Sequence, residues 1–93
     1  MAKQLRISVR NMCSESTNRE VPNQFIISTP KKKIFQSYGR TICVITKGKV
    51  YLDKRYWDYS KTTGKYRNQF LRESISETRM KIKDGIYKLR DLN

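Results

Sequence analysis

Aromatic and basic side chains alternate along residues 47–72, which read KGKVYLDKRYWDYSKTTGKYRNQFLR. Eight cations lie in this segment and only Asp53 and Asp58 oppose them, so it contributes +6 to the net charge of +13. Aromatic rings stack on nucleobases and cations pair with phosphates. The segment therefore predicts a surface for a polyanion, although the same residues also fit an aromatic core with a solvated basic rim. Its aromatic residues are Tyr51, Tyr56, Trp57, Tyr59, Tyr66 and Phe70.

The centre of this segment predicts a platform on which bases stack. Trp57 lies between Tyr56 and Tyr59, and the cations Lys54 and Arg55 precede the rings. In this arrangement the rings contact bases while the cations hold phosphates. Trp57 has a second interpretation, because a large ring in a small protein often belongs to the core. We expect Trp57 to form the floor of such a surface.

Further cations extend the candidate surface beyond this platform. The three consecutive lysines at 31–33 are either phosphate contacts or a charge cluster that keeps a strand edge from pairing with another molecule. The remaining cations are interpreted as contacts to a polyanionic partner. The full set of these additional candidates is Lys31, Lys32, Lys33, Arg40, Lys61, Lys65 and Arg67.

The residue types that usually perform catalysis are scarce. The chain has no histidine, so the commonest general base and the usual partner of a serine or cysteine nucleophile are missing. Asp53 with Asp58, and Glu73 with Glu77, fit surface counter-charges or helix-start acids better than a proton-transfer or metal site. The two cysteines are far apart in sequence and do not make a usual zinc site. We expect a non-enzymatic protein that uses no cofactor and no metal.

The composition is that of a small, strongly basic protein. Its 93 residues fit a single domain over residues 1–93, and 21 Lys and Arg against 8 Asp and Glu give a pI near 10.1. Such a charge attracts DNA, RNA, acidic proteins and other polyanions. No apolar stretch reaches the ~20 residues of a membrane span, and the first ten residues lack a signal-peptide core. We expect no membrane partner and a cytoplasmic location.

The first residues predict a strand followed by a connection. Leu5, Ile7 and Val9 alternate with polar residues, which is the pattern of a half-buried strand. Residues 11–22 are polar and aperiodic and end in Pro22, so they are interpreted as a mobile loop.

The next part of the chain predicts an antiparallel meander. Residues 25–27 and 34–36 form a hairpin around the three lysines. A tight turn at Tyr38-Gly39 leads into the apolar run 42–45, which marks a central strand buried on both faces. Gly48 supplies the positive φ of another hairpin turn, after which one more strand follows.

Two helices are predicted after residue 60. Thr62 or Thr63 caps the first, and the second starts with a capping box of Ser74 and Glu77 and ends before Gly85. The spacing of apolar residues assigns a buried face to each helix. These faces comprise Tyr66, Phe70 and Leu71 in the first helix and Ile75, Thr78 and Ile82 in the second.

Residues 86–92 are interpreted as a last short strand or an extended tail. The complete pattern predicts an α+β fold, in which an antiparallel meander sheet of four to five strands packs against two C-terminal helices.

Residues 34–93 resemble a family of small bacteriophage-encoded proteins of unassigned function. The resemblance is most specific in YWDYS and YRNQFL. It implies a phage context and transfers no catalytic residue. The shared motifs are FQSY at 35–38, YLD at 51–53, YWDYS at 56–60, TT at 62–63, YRNQFL at 66–71 and DLN at 91–93.

Two functions fit these observations. In the first, a non-enzymatic phage protein binds DNA, RNA or a nucleic-acid-handling complex through its basic, aromatic surface. In the second, the protein inhibits a host defence protein, such as a CRISPR effector, or the transcription machinery, by binding directly to an acidic or nucleic-acid-binding host protein. Both place it in the cytoplasm of a bacterial host cell.

Overall fold

Six strands and two helices make up most of residues 6–93, the part of the chain that this computed structural model describes. The predicted α+β class is confirmed, while Leu5 of the predicted first strand lies outside the described residues. In chain order the elements are β1 (Ser8–Cys13), β2 (Glu20–Ser28), β3 (Lys32–Ser37), β4 (Arg40–Thr46), β5 (Lys49–Asp53), α1 (Lys61–Leu71), α2 (Ile75–Lys83) and β6 (Tyr87–Arg90).

The strands form one sheet in the order β1-β2-β3-β4-β5-β6. The first five strands are an antiparallel meander, as predicted, whereas β6 pairs with β5 in parallel. The predicted sheet of four to five antiparallel strands therefore needs correction in its strand count and in the direction of its last strand. Because α1 and α2 carry the chain back between β5 and β6, the last strand runs in the same direction as β5.

Two tight turns connect β3, β4 and β5 as the sequence predicts. Tyr38 and Gly39 have φ values of 51° and 77°, and Lys47 and Gly48 have φ values of 51° and 73°. Positive φ at both central residues is the geometry whose twist matches that of the flanking strands. These turns fix the pairing register in the centre of the sheet.

The connection predicted over residues 11–22 is shorter than expected. Strand β1 continues through Cys13 and β2 already begins at Glu20, so the turn spans only residues 14–19. Pro22 lies within β2 at the point where the register shifts between Asn11 and Cys13. A strand accepts proline at such an irregularity, because no ladder N–H is required there.

The core lies between the helices and one face of the sheet. Across this face Ile26, Phe35, Cys43 and Leu52 are neighbours on successive strands, and the last three are fully buried. The ring of Phe35 stacks on that of Phe70 in α1, with the centroids 5.6 Å apart. Burial of this apolar surface stabilises the fold by roughly 25 cal/mol per Å².

Strand β4 is central, as predicted, but it is not buried on both faces. Only Ile42 and Cys43 are fully buried, whereas Val44 and Ile45 are half-buried. The register between β3 and β4 shifts at this point, so two consecutive side chains are buried. Since both helices pack on one face of the sheet, the remaining alternate positions of β4 stay partly exposed.

The helices start and end at specific capping residues. Ser60, and not Thr62 or Thr63, caps α1, because its hydroxyl accepts the Thr63 backbone N–H at 3.1 Å. The Thr63 side chain points into the core instead, where it hydrogen-bonds Ser37 at 2.8 Å. The predicted capping box of Ser74 with Glu77 at the start of α2 is confirmed.

A buried carboxylate joins α2 to β6. Glu73 is 4% exposed and accepts hydrogen bonds from Thr78 Oγ1 at 2.6 Å, Lys81 Nζ at 2.7 Å and Tyr87 Oη at 2.7 Å. Burial raises the pKa of Glu73, but the donors outweigh burial and bring this pKa below its ordinary value. Burial and the bond to Glu73 raise the pKa of Tyr87 to about 12. Glu73 is thus a structural acid, and its interpretation as a surface counter-charge is wrong.

Acid is expected to weaken this junction. Because the pKa of Glu73 in the folded protein lies below its ordinary value of 4.5, its stabilising effect is present above pH 4.5 and is lost as the pH falls through the folded pKa. Glu73→Gln should lower the free energy of unfolding by about 1.5–3 kcal/mol at neutral pH. Urea unfolding across the acid range measures both effects.

The control for this experiment is Glu15→Gln, which removes an equivalent charge from an exposed position. Its free energy of unfolding should stay within about 0.5 kcal/mol of the wild-type value. An acid dependence that Glu73→Gln leaves unchanged would show that the junction does not depend on this carboxylate.

Candidate nucleic-acid interface

The predicted platform belongs to a loop over residues 54–60, called the candidate loop, which begins at a buried carboxylate. Asp53 is 1% exposed and accepts the backbone N–H groups of Arg55 at 3.0 Å, Tyr56 at 2.9 Å and Leu92 at 2.8 Å. Burial raises the pKa of Asp53, but the hydrogen bonds, led by that from Leu92, outweigh it and lower the pKa. Asp53 therefore ties the start of the loop to the C-terminal segment.

A buried arginine holds the middle of the candidate loop. Arg67 on α1 is 1% exposed, and its Nη1 donates to the Trp57 carbonyl at 2.7 Å and to Asp58 Oδ1 at 2.8 Å. Its Nη2 donates to the Asn68 side chain at 2.9 Å, and the guanidinium carbon lies 5.2 Å from the centre of the Trp57 ring. A buried charge persists only when it is paired and hydrogen-bonded. These contacts fix the backbone of the loop onto α1.

The burial of Arg67 corrects one predicted contact. A guanidinium committed to the protein's own carbonyl and carboxylate groups does not reach a partner, so the prediction of Arg67 as a binding residue is wrong. Trp57 is half-buried and packs against the core. Trp57 thus lies between the core and the exposed part of the loop, and the sequence predicts it as the floor of the surface.

The outer side of the candidate loop carries the exposed rings and cations. Tyr59 is 43% exposed and meets Tyr56 edge to face, with the ring centroids 5.3 Å apart. The guanidinium carbon of Arg40 lies 4.9 Å from the centre of the Tyr56 ring. Lys54 and Arg55 are exposed. Because Arg40 lies against the ring of Tyr56, the ring of Tyr59 is the more accessible of the two.

A groove of about 1410 Å³ opens between α1 and the part of the sheet that contains β1 and β2. Three carboxylates also line it. Asp58 is paired with Arg67 and Arg79, and Glu73 is paired with Lys81, whereas Glu15 forms no ion pair with any residue in 6–93. Five further cations line the groove, and none of them forms an ion pair with any residue in 6–93. These five groove cations are Arg10, Lys33, Lys61, Lys65 and Arg72.

The candidate loop and the groove are continuous. Asp58, Ser60 and Lys61 all line the groove, and Tyr59 lies between the first two in sequence. Tyr59 itself does not line the groove, and its ring packs against Tyr56, so the loop joins the groove through Asp58 and Ser60.

The three consecutive lysines do not join the candidate loop. Lys33 pairs with Ile45 at one end of the sheet, whereas the loop leaves β5 after Asp53 at the other end. Lys33 is level with Val50 across the sheet, three residues or about 10 Å along the strands from Asp53. Because side chains alternate along a strand, Lys33 faces the groove and Lys32 faces the opposite side of the sheet.

Two groove cations were not among the predicted site residues. Arg10 belongs to the basic side of the first strand, which the alternation assigns only to solvent, and Arg72 follows α1 in a left-handed conformation with φ 57°. Residues 10 and 72 meet at one groove only because the sheet places β1 and β2 beside α1. No local pattern in the sequence brings them together.

Of the two free thiols, Cys43 is buried and Cys13 is half-buried. Burial raises the pKa of the Cys43 thiol to about 12, which keeps it protonated and unreactive. Residues 6–93 contain no cluster of three or more His, Cys, Asp or Glu side chains that would bind a metal ion. Within the same range, neither helix is long and apolar enough to cross a membrane.

Comparison with known proteins identifies a family. The model of a family of unknown function, DUF8033, matches residues 7–86, and the chain belongs to this family. The match includes the candidate loop and all five groove cations. No curated protein and no solved structure matches the chain.

Removal of the Arg67 side chain is expected to release the candidate loop. Arg67→Ala removes the donor of the Trp57 carbonyl and leaves Asp58 with the longer contact to Arg79 at 3.6 Å, so the free energy of unfolding should fall by about 3 kcal/mol. Trp57 is the single tryptophan of the chain, so its fluorescence reports on the loop alone. Its emission should shift to longer wavelength and become more accessible to acrylamide.

The matched variant is Lys65→Ala, which removes an exposed cation from the same helix. It should change the free energy of unfolding by no more than about 0.5 kcal/mol and leave the emission of Trp57 in place. Equal effects of the two variants would show that Arg67 has no special part in holding the loop.

Proposed function

We propose that this member of the DUF8033 family binds nucleic acid without catalysis, with the phosphate backbone in the groove and a base on Tyr59. One observation carries the proposal: five cations that lack an ion-pair partner within residues 6–93 line a single groove, and the loop that joins this groove at Asp58 and Ser60 carries the exposed ring of Tyr59.

The charges of the groove favour a phosphate backbone. A cation already paired with a carboxylate gains little from a phosphate, whereas an unpaired cation releases counterions from the nucleic acid when it binds. Arg10 and Lys33 approach the groove from the sheet, and Lys61 and Lys65 approach it from α1. A strand lying along the groove would therefore have cations on both sides.

The aromatic part of the site favours single strands over a duplex. A ring stacks on a base only when that base is not already stacked within a helix. Tyr59 is 43% exposed, whereas Tyr66, another ring in the basic segment, is buried at 4% exposure. Tyr59 is accordingly the residue that we assign to base stacking.

Loss of two groove cations should weaken binding and reduce its dependence on salt. For Lys61→Ala with Lys65→Ala, the slope of log K against log salt should fall by about 0.7 for each lost phosphate contact to a single strand. Fluorescence anisotropy with labelled single-stranded and duplex DNA and RNA, at a series of salt concentrations, measures these slopes.

A charge-matched control comes from the other side of the sheet. Lys49→Ala with Lys88→Ala removes two exposed cations that do not line the groove. This variant should keep most of the wild-type slope. If the wild-type protein binds neither DNA nor RNA at low salt, or if both double variants lose equal affinity, the assignment of the groove is wrong.

The aromatic ring of Tyr59 should contribute to single-strand affinity by stacking on a base. Tyr59→Ala should weaken binding to a single strand by about 1–3 kcal/mol, whereas Tyr59→Phe keeps the ring and should retain most of the affinity. Titration of a labelled single strand into each variant measures this difference. Equal losses in both variants would assign the effect to the hydroxyl and not to stacking.

The resemblance to small phage proteins suggests the setting for this activity. It supports a location in the cytoplasm of an infected bacterium, where single-stranded DNA and RNA are available. The two cysteines are unpaired in the structure, which agrees with a reducing compartment.

A further inference from the structure

The face of the sheet opposite the helices carries a continuous apolar row. Each member of the row is the cross-strand neighbour of the next, from β1 to β5. The side chains point away from the core, because they alternate with the buried positions Phe35, Cys43 and Leu52. This open row consists of Val9, Ile27, Ile34, Val44 and Tyr51, and the cation Lys88 of β6 lies next to Tyr51 at its end.

The open row has no cover among the described elements. Val9 is 61% exposed, and Ile7, two residues before it, is 65% exposed. Ile27, Ile34 and Val44 are half-buried by their neighbours within the sheet. Contiguous exposed apolar side chains with a polar rim are typical of a surface that binds another protein.

Cations surround the open row. Lys32 and Lys49 both pair with Thr46 and lie on this face, one position beyond the row. At the other edge the guanidinium carbon of Arg90 lies 5.2 Å from the centre of the Tyr51 ring. The rim of the face is therefore positive on both sides.

Carboxylates do not balance this rim. Asp53 is the only acidic residue in the four strands β3 to β6, and it is buried under backbone N–H groups. A partner that covers the apolar row must bring negative charge to the rim. Complementary charge of this kind orients a partner and speeds its association.

We infer that the open row is a docking surface for an acidic protein segment whose apolar side lies on Ile27, Ile34 and Val44. Aliphatic side chains present no ring for a base to stack on, and Arg90 already covers Tyr51, so this face suits nucleic acid less well than the groove does. A second copy of the chain fits poorly, because it would bring the same positive rim and a further net charge of +13.

The probe for this surface is a labelled amphipathic peptide of about 18 residues, with leucines on one helical face and glutamates on the other. Fluorescence anisotropy compares the wild-type protein with Lys32→Glu plus Lys49→Glu, which reverses the rim, and with Lys61→Glu plus Lys65→Glu, which makes the same charge change at the groove. Reversal of the rim should weaken peptide binding at least about tenfold, and the groove variant should weaken it by no more than about threefold. Equal losses, or a larger loss in the groove variant, would overturn the inference.

The apolar contribution is tested separately. A peptide in which serines replace the leucines keeps its charge and should bind the wild-type protein at least about tenfold more weakly. The variant Ile34→Ser plus Val44→Ser should show a similar loss for the leucine peptide, with thermal unfolding as the check on its fold. Equal binding of the two peptides to the wild-type protein would mean that charge alone attracts them, and the docking surface would be rejected.

Two further measurements identify other occupants of the open row. If reversal of the rim abolishes binding of a labelled single strand of about 12 nucleotides, the face binds nucleic acid and the inference is wrong. If sedimentation shows a dimer that Ile34→Ser plus Val44→Ser dissociates, the occupant is a second copy and the inference is again wrong. We expect a monomer, and we expect only the groove variant to weaken binding of the oligonucleotide.

A separate outcome concerns the proposed function. If neither the wild-type protein nor the variants bind the oligonucleotide while peptide binding is intact, the proposed function is contradicted and the inference about the open row is unaffected.

Discussion

The buried guanidinium of Arg67 is the interaction on which the organisation of the site depends. It connects α1 to the Trp57 carbonyl and to the Asp58 carboxylate, and its plane lies near the Trp57 ring. A charge inside a protein of this size is tolerated because it is paired and hydrogen-bonded. Here Nη1 and Nη2 have acceptors, whereas the buried Nε has none within residues 6–93. The consequence is a loop with a fixed backbone, so that the exposed ring of Tyr59 and the cations beside it are presented from a rigid support.

The fold divides the chain's positive charge between surfaces of different shape and chemistry. On the helix side the cations line a concave groove, and on the other side they surround an almost flat aliphatic row. The alternation of side chains along each strand produces this division, and adjacent Lys32 and Lys33 illustrate it by facing opposite sides. The net charge of +13 is therefore distributed over two surfaces of different shape.

Features governed by local chemistry could be predicted from the sequence, and features governed by distant contacts could not. The turn at Gly48 and the capping box at Ser74 depend on a few adjacent residues, and both appear in the structure. The role of Arg67 depends on acceptors nine and ten residues away, which only the path of the loop brings within reach. Within residues 47–72, nothing in the local sequence distinguishes the buried Arg67 from the exposed lysines and arginines. For the same reason the sequence does not predict that Arg10 and Arg72 line the same groove.

The parallel pairing of β6 with β5 has a consequence for the order of folding. Strands β1 to β5 are joined by short connections and pair with their neighbours in sequence, whereas β6 must wait until both helices have formed behind it. The N–H of Leu92, just beyond β6, also completes the hydrogen bonds of Asp53 at the base of the candidate loop. During synthesis the meander can therefore assemble early, while the start of the candidate loop is fixed only after the segment that follows α2 has left the ribosome. The meander of a newly made chain thus forms before its candidate loop is fixed.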